Sequence, residues 1–216
     1  MTLSEKYPYI VIEGPIGSGK TTLARKLAER FPLSLLLENA EANPFLPRFY
    51  QDPGRYALPA QLFFLFQRAE QVRELTQRDL FGEATVADFF LEKDPLFARI
   101  NLSDEEFKLY RDIYRHLQPQ TTTPDLVIYL QTPAEVLLKR VEQRSIGYEQ
   151  SITREYLAHL ADAYSELFHH YDASPLLIVN NENLDCASSE SALDLLVERI
   201  LAMRGRREYF NPRLDA

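Results

Sequence analysis

At 216 residues the chain suits one domain, 1–216, and 45% apolar with 12% aromatic content is ample for a sizeable core. A net charge of −8, with acids interspersed among the basic residues, excludes a nucleic-acid footprint. The lone Cys186 excludes an intramolecular disulfide, and the lack of a signal-peptide pattern or a membrane-length apolar run leads to the expectation of a cytoplasmic protein without a membrane partner.

Apolar runs of strand length alternate with longer segments of helical period, which predicts an α/β fold: a five-stranded parallel sheet flanked by helices. In chain order the pattern gives a strand over 9–13, a helix over 20–29, a strand over 34–37, a helix over 57–78, a strand over 85–89 and a helix over 104–117. There follow a strand over 125–130, helices over 134–143 and 154–170, a strand over 176–179 and a helix over 188–203. Pro44, Pro47, Pro53 and Pro59 punctuate the stretch before the long helix, where a substrate-facing loop is expected. Thr121-Thr122-Thr123-Pro124 reads as a plain turn, and Arg204, Arg206 and Arg207 as cations in the last turn of the final helix. His116, His159, His169 and His170 lack metal-ligand spacing with each other or with Cys186, so they are read as structural or solvent-facing.

The first strand runs into Gly14-Pro15-Ile16-Gly17-Ser18-Gly19-Lys20-Thr21, which matches G-x-x-x-x-G-K-[ST] at every fixed position. Glycines let the backbone curl so that successive N–H groups point at one anion, and the helix opening at Lys20, Thr21 and Thr22 aims its N-terminus there. This reads as a phosphate-binding loop, with Lys20 placed to reach the β and γ phosphates and Thr21 to ligate Mg²⁺. A merely structural glycine turn needs neither the lysine nor the threonine.

Such a loop serves motors, switches, pumps and small-molecule kinases alike, so the other strand ends must decide. Asp88 closes the third strand, where an acid can bind Mg²⁺, directly or through water, or take a proton from an attacking hydroxyl. Phe89 and Phe90 after it suit the wall of a cleft. Arg140 and Arg144 stand at i, i+4 on one helical face, and the helix breaks at Gly147, so 139–151 reads as a short lid able to close over bound nucleotide. Closing brings an arginine to the transferring phosphoryl group, an effect worth ~10³-fold or more in rate.

Together these features resemble the deoxynucleoside kinases, in particular the bacterial branch acting on deoxyadenosine, deoxyguanosine or deoxycytidine, over nearly the whole chain. The resemblance implies a P-loop kinase fold, ATP and Mg²⁺ as donor and cofactor, and transfer of the γ-phosphoryl group to a deoxynucleoside 5′-hydroxyl in nucleotide salvage. It implies catalytic roles for Asp88, Glu38, Lys20, Arg144 and Arg140, with Glu38 the acid near the 5′-hydroxyl. Gln61 and Arg68 match the pair that reads the base, and Asp94 the acid that partners Arg68. Tyr50 and Glu149 match the residues contacting the sugar 3′-hydroxyl. By the same resemblance the helices over 57–78 and 104–117 form a homodimer interface.

The residues support that match on their own terms. A Gln amide can pair with a base edge through two hydrogen bonds, and Gln61 and Arg68 lie about two helical turns apart on one face. Phe45, Phe63, Phe64, Phe89 and Phe90 are candidates for stacking walls, although aromatics at such spacings more often build core. The chain also departs from the family. Pro15 stands where Asn is usual, Phe89 replaces the arginine that follows the third-strand acid, and Ile146 replaces the second lid arginine; Lys93 is a candidate substitute charge. Purine acceptors are weakly favoured, with deoxycytidine also compatible. Two rival readings fit the same motif, a nucleoside-monophosphate kinase of the thymidylate type and a regulatory protein that hydrolyses nucleotide.

Overall fold

The computed structural model describes residues 2–80, 82–117, 122–182, 184 and 189–212. In chain order its elements are α1 (Leu3–Lys6), β1 (Tyr9–Glu13), α2 (Lys20–Arg30), β2 (Ser34–Leu36), α3 (Leu46–Phe49), α4 (Pro53–Leu80), β3 (Thr85–Ala87), α5 (Asp94–Asn101) and α6 (Asp104–Leu117). These are followed by β4 (Leu126–Gln131), α7 (Ala134–Arg144), α8 (Arg154–His170), β5 (Leu176–Asn180), α9 (Glu190–Ala202) and β6 (Arg207–Phe210).

The strands form one sheet in the order β2-β3-β1-β4-β5-β6, parallel throughout, with six strands rather than the five expected. Alternation of side chains divides the core into two layers. On β1, Val11 faces the layer beneath α4, α5, α6 and α8, whereas Ile10 and Ile12 face the layer beneath α1, α2 and α9. On β4, Val127 and Tyr129 go to the first layer and Leu126, Ile128 and Leu130 to the second. Central strands buried on both faces carry near-continuous apolar runs, and these made β1, β4 and β5 legible.

The sixth strand was missed because its Arg207-Glu208-Tyr209-Phe210 sequence is that of a half-exposed edge rather than a core strand. Helix α9 ends at Ala202, so the arginines are not in its last turn. Arg206 Nη2 and Arg207 Nη2 instead donate to the carbonyls of Asp172 and Tyr171, just beyond the C-terminus of α8, so the dipole they complement is that of another helix.

The proline-marked loop is also shorter than expected. Pro47 lies in α3, and Pro53 and Pro59 lie in α4, which starts at Pro53 and runs for 28 residues. Pro47 and Pro53 fall in first helical turns, where the missing N–H would be unpaired in any case, whereas Pro59 lies inside α4 and removes a hydrogen bond from the helix. Among the described residues no helix is long and apolar enough to cross a membrane. Thr121, Cys186 and Ser188 lie outside the described residues, and the four histidines are exposed.

Candidate active site

The carboxyl ends of three adjacent strands deliver the charged groups of the site. β1 ends in Glu13 and passes into the glycine loop, Glu38 lies two residues beyond β2, and Asp88 follows β3 directly. Gly17 and Gly19 have φ of 87° and 88°, in the left-handed region where a side chain is strained. A Cβ at Gly17 would also stand 2.9 Å from the carbonyl oxygen of Leu137 on α7, so glycine lets the loop lie against that helix. Gly19 caps α2 without a side-chain hydrogen bond, which leaves the N–H groups of the first turn for an anion. The carbonyl of Ser18 accepts from Asn181 Nδ2 at 2.8 Å, fastening the loop to the end of β5.

Beside the loop, Thr21 Oγ1 donates to Asp88 Oδ2, and Asp88 Oδ1 accepts the backbone N–H of Glu38 at 2.7 Å. Asp88 is therefore buried against the loop and the chain leaving β2. The Lys20 ammonium is destabilised, first by burial and then by the neighbouring Lys93 charge, against the pull of Glu13, Asp88 and Glu38.

Glu38 sits on the other side of Asp88. Arg68 reaches it with Nε at 2.7 Å, and the Lys93 ammonium lies 3.6 Å from Glu38 Oε2. Burial pushes the Glu38 carboxyl up, but Arg68, Lys93 and Lys20 outweigh burial and hold its pKa down to about 2. Asp94, at the start of α5, is fully buried; its Oδ2 accepts from Arg68 Nη1, and its Oδ1 from Gln61 Nε2 at 2.7 Å and from the Tyr110 hydroxyl at 2.5 Å. Gln61 and Arg68 are thus joined through Asp94, and the guanidinium is shared between two carboxylates.

The 145–152 segment turns through Ser145, whose φ of 54° is left-handed, into a 3-10 turn over Gly147–Ser151. Arg144 faces Glu149 at 3.8 Å, and Tyr148 stacks on Tyr50 with ring centroids 6.0 Å apart. Burial raises the Glu149 pKa, against the opposing pull of Arg144 and Lys20. Tyr50 and Glu149 line the same cavity. Arg140 points elsewhere, to the carbonyls of Ser18, Asn181 and Leu184 on the outer side of the loop.

One cavity gathers most of these residues. It runs from Ile16, Lys20 and Thr21 past Asp88, Glu38 and Lys93 to Gln61 and Arg68. Arg140, Gly17, Ser18, Gly19 and Thr22 border a second hollow on the far side of the loop, and Arg144 borders both. Of the aromatics proposed from sequence as walls, Phe64 lines the main cavity, with the Arg68 guanidinium 5.0 Å from its ring centroid. Phe89 and Phe90 do not: they are 1% and 2% exposed in the core, because both follow the strand end into the layer under α8. Phe49, Phe97, Tyr156 and Tyr164 take part in the wall and had no distinguishing motif. Glu13 and Tyr110 support the site from behind and were likewise not singled out.

The fit to a divalent cation is good. Thr21 and Asp88 offer hard oxygen atoms in mutual contact next to the phosphate loop, a donor set that suits Mg²⁺ sharing its coordination with phosphates and water. Among the described residues no cluster of three or more His, Cys, Asp or Glu forms an alternative metal site.

The family model for deoxynucleoside kinases matches residues 10–203. The chain is 35% identical over 158 residues to a deoxyguanosine kinase of Bacillus subtilis, covering 73% of this chain and 76% of that one. It is 30% identical over 205 residues to a deoxyadenosine kinase of Lactobacillus acidophilus, covering 88% and 94% respectively. The solved structure of a deoxyadenosine kinase from M. mycoides with bound dCTP superposes with a TM-score of 0.77 at 24% identity, over 90% of this chain and 99% of that one, a likeness of fold.

Proposed function

The chain belongs to the deoxynucleoside kinase family, and from that premise we propose a division of labour among its residues in moving the γ-phosphoryl group of ATP to the 5′-hydroxyl of a purine deoxynucleoside. Phosphorylation of deoxynucleosides by ATP is the activity of the family. The observation that carries the finer assignment is the single cavity in which Lys20 and Thr21 at one end meet Gln61 and Arg68 at the other, with Asp88 and Glu38 between them.

The loop amides over 14–22 and Lys20 hold the donor phosphates. Thr21 and Asp88 hold Mg²⁺, which when bound neutralises phosphate charge. Both Asp88 oxygens are engaged, one with Thr21 and one with the Glu38 backbone, so Asp88 serves the donor side. Glu38 faces the acceptor and accepts the hydrogen bond of the 5′-hydroxyl. As the new O–P bond forms, the bond from the γ phosphorus to the bridging oxygen breaks, ADP leaves, and the hydroxyl proton passes to Glu38. A carboxylate held near pKa 2 is a weak base, which suits a loose transition state where the proton moves late and positioning dominates.

Arg144 neutralises charge on the transferring group, while Arg140 braces the loop and the outer hollow. Gln61 and Arg68, oriented by Asp94, read the base edge. Tyr50 and Glu149 hold the sugar. The relatives named deoxyguanosine and deoxyadenosine kinase support the purine preference. A homodimer through α4 and α6 is part of the reading, supported by Phe66 and Leu109, which are 54% and 51% exposed on those helices. So is a place in cytoplasmic nucleotide salvage.

The test is ADP formation from Mg·ATP with deoxyguanosine, deoxyadenosine, deoxycytidine, thymidine or dTMP, beside a control without acceptor. Fastest turnover with a purine deoxynucleoside is expected. Fastest turnover with deoxycytidine would overturn the base preference, and with dTMP the assignment of a hydroxyl acceptor.

A further inference from the structure

We propose that Lys93 is the acceptor-side cation of phosphoryl transfer, and that Glu13, which never meets substrate, is the positioning residue that holds it there. The proposal deepens the kinase assignment and rests on it.

Lys93 closes a 3-10 turn between β3 and α5, and only 1% of it is exposed. Its ammonium lies 2.9 Å from Glu13 Oε1 and 3.6 Å from Glu38 Oε2, and it lines the cavity with Lys20, Thr21 and Asp88. A lysine is almost never fully buried unless paired, and here two carboxylates attend one ammonium.

Glu13 explains the placement. It is 0% exposed and absent from the cavity wall, so it cannot touch substrate. Its Oε2 accepts the N–H of Gly14 at 3.0 Å and the hydroxyl of Tyr164 at 3.1 Å, which fixes the carboxylate between the phosphate loop and α8. The remaining oxygen meets Lys93. One buried acid thereby ties the donor loop to the acceptor-side cation.

A pair serving burial alone would not need a second cation close by. Yet Lys93 lines the same cavity as Lys20, the lysine of the phosphate loop. Glu13 and Glu38 already attend the Lys93 ammonium, and two ammoniums facing one cavity attract further negative charge that arrives between them. The γ-phosphoryl group in flight supplies that charge. As its bond to the ADP oxygen breaks and the bond to the 5′-oxygen forms, Lys20 neutralises its oxygens from the donor side and Lys93 from the acceptor side, while the hydroxyl proton goes to Glu38. Donors placed where charge develops act on the transition state more than on the bound substrates.

The experiment compares wild type, Lys93→Met, Glu13→Gln and the double variant Glu13→Gln/Lys93→Met for kcat, KM and melting temperature with deoxyguanosine and Mg·ATP. Lys93→Met alone leaves Glu13 without its counter-charge and should melt earlier. The double variant removes both charges and should regain the melting temperature while kcat stays about 100-fold down with KM little changed. Glu13→Gln keeps a carbonyl acceptor for Gly14 and should lower kcat about tenfold without moving KM. A folded double variant with wild-type kcat, or Glu13→Gln with wild-type kcat, would overturn the proposal. Wild-type turnover in the same assay holds the kinase assignment fixed, so a result confined to the variants bears on Lys93 and Glu13 alone.

Discussion

Arg68 grips one oxygen of Glu38 with two nitrogens, Nε at 2.7 Å and Nη2 at 2.5 Å, while its Nη1 goes to Asp94. Arg68 thus keeps Glu38 ionised, and in the proposed division of labour base recognition and hydroxyl orientation share one guanidinium.

Stability at low pH follows from that grip. The Glu38 pKa lies near 2 in the folded chain against an ordinary 4.5, so its stabilisation is fully present above about pH 4.5 and is lost as pH falls through 2. The difference is on the order of 3 kcal/mol at neutral pH. Denaturant unfolding of Glu38→Gln should lose stability less steeply between pH 4.5 and 2 than wild type. An equally steep decline would remove Glu38 as its source.

Asp88→Asn should lower kcat by about 100-fold or more, because the donor side loses a charged oxygen next to Thr21. EDTA should abolish turnover and excess Mg²⁺ restore it. In Asp88→Asn the concentration of Mg²⁺ giving half-maximal rate should rise; an unchanged metal requirement would place Asp88 outside the metal site.

Tyr50 stands in the cavity with its ring stacked on Tyr148 and with Glu149 as its neighbour. In the proposed sugar site the Tyr50 hydroxyl crowds a 2′-hydroxyl, so Tyr50→Phe should weaken the preference for deoxyadenosine over adenosine, by a few-fold to about tenfold in kcat/KM. The ratio of the two kcat/KM values, before and after substitution, checks this.

Gly17→Ala combines a left-handed φ with a Cβ 2.9 Å from the Leu137 carbonyl. The variant should be less stable by about 1–3 kcal/mol and bind ATP more weakly, since the loop must withdraw from α7. Thermal melting with and without ATP separates the two effects.

The sheet was legible where strands are buried on both sides, as in Ile10-Val11-Ile12 and Leu126 to Leu130, and illegible at β6, where an edge strand carries Arg207 and Glu208. Short helices α3 and α5 escaped because Pro47 and Pro95 resemble loop punctuation, although both fall in a first turn, where proline is tolerated. For the site, the P-loop motif led to Lys20 and Thr21, and the resemblance led to Glu38, Gln61, Arg68 and Asp94, which the structure brings together. Glu13 and Tyr110 had no local signal, because what singles them out is burial beside a partner distant in sequence. Phe89 and Phe90 misled for the complementary reason: an aromatic after a functional acid carries no mark of which way the chain turns next.

The anchoring of α8 has a mechanical consequence. Its rear end is clasped by Arg206 and Arg207 through the carbonyls of Asp172 and Tyr171, and its middle is pinned to β1 by Tyr164 and Glu13. The helix is therefore held both at its middle and just beyond its C-terminal end, so the residue that steadies the phosphate loop from behind, Glu13, is itself backed by contacts that reach as far as the outermost strand of the sheet.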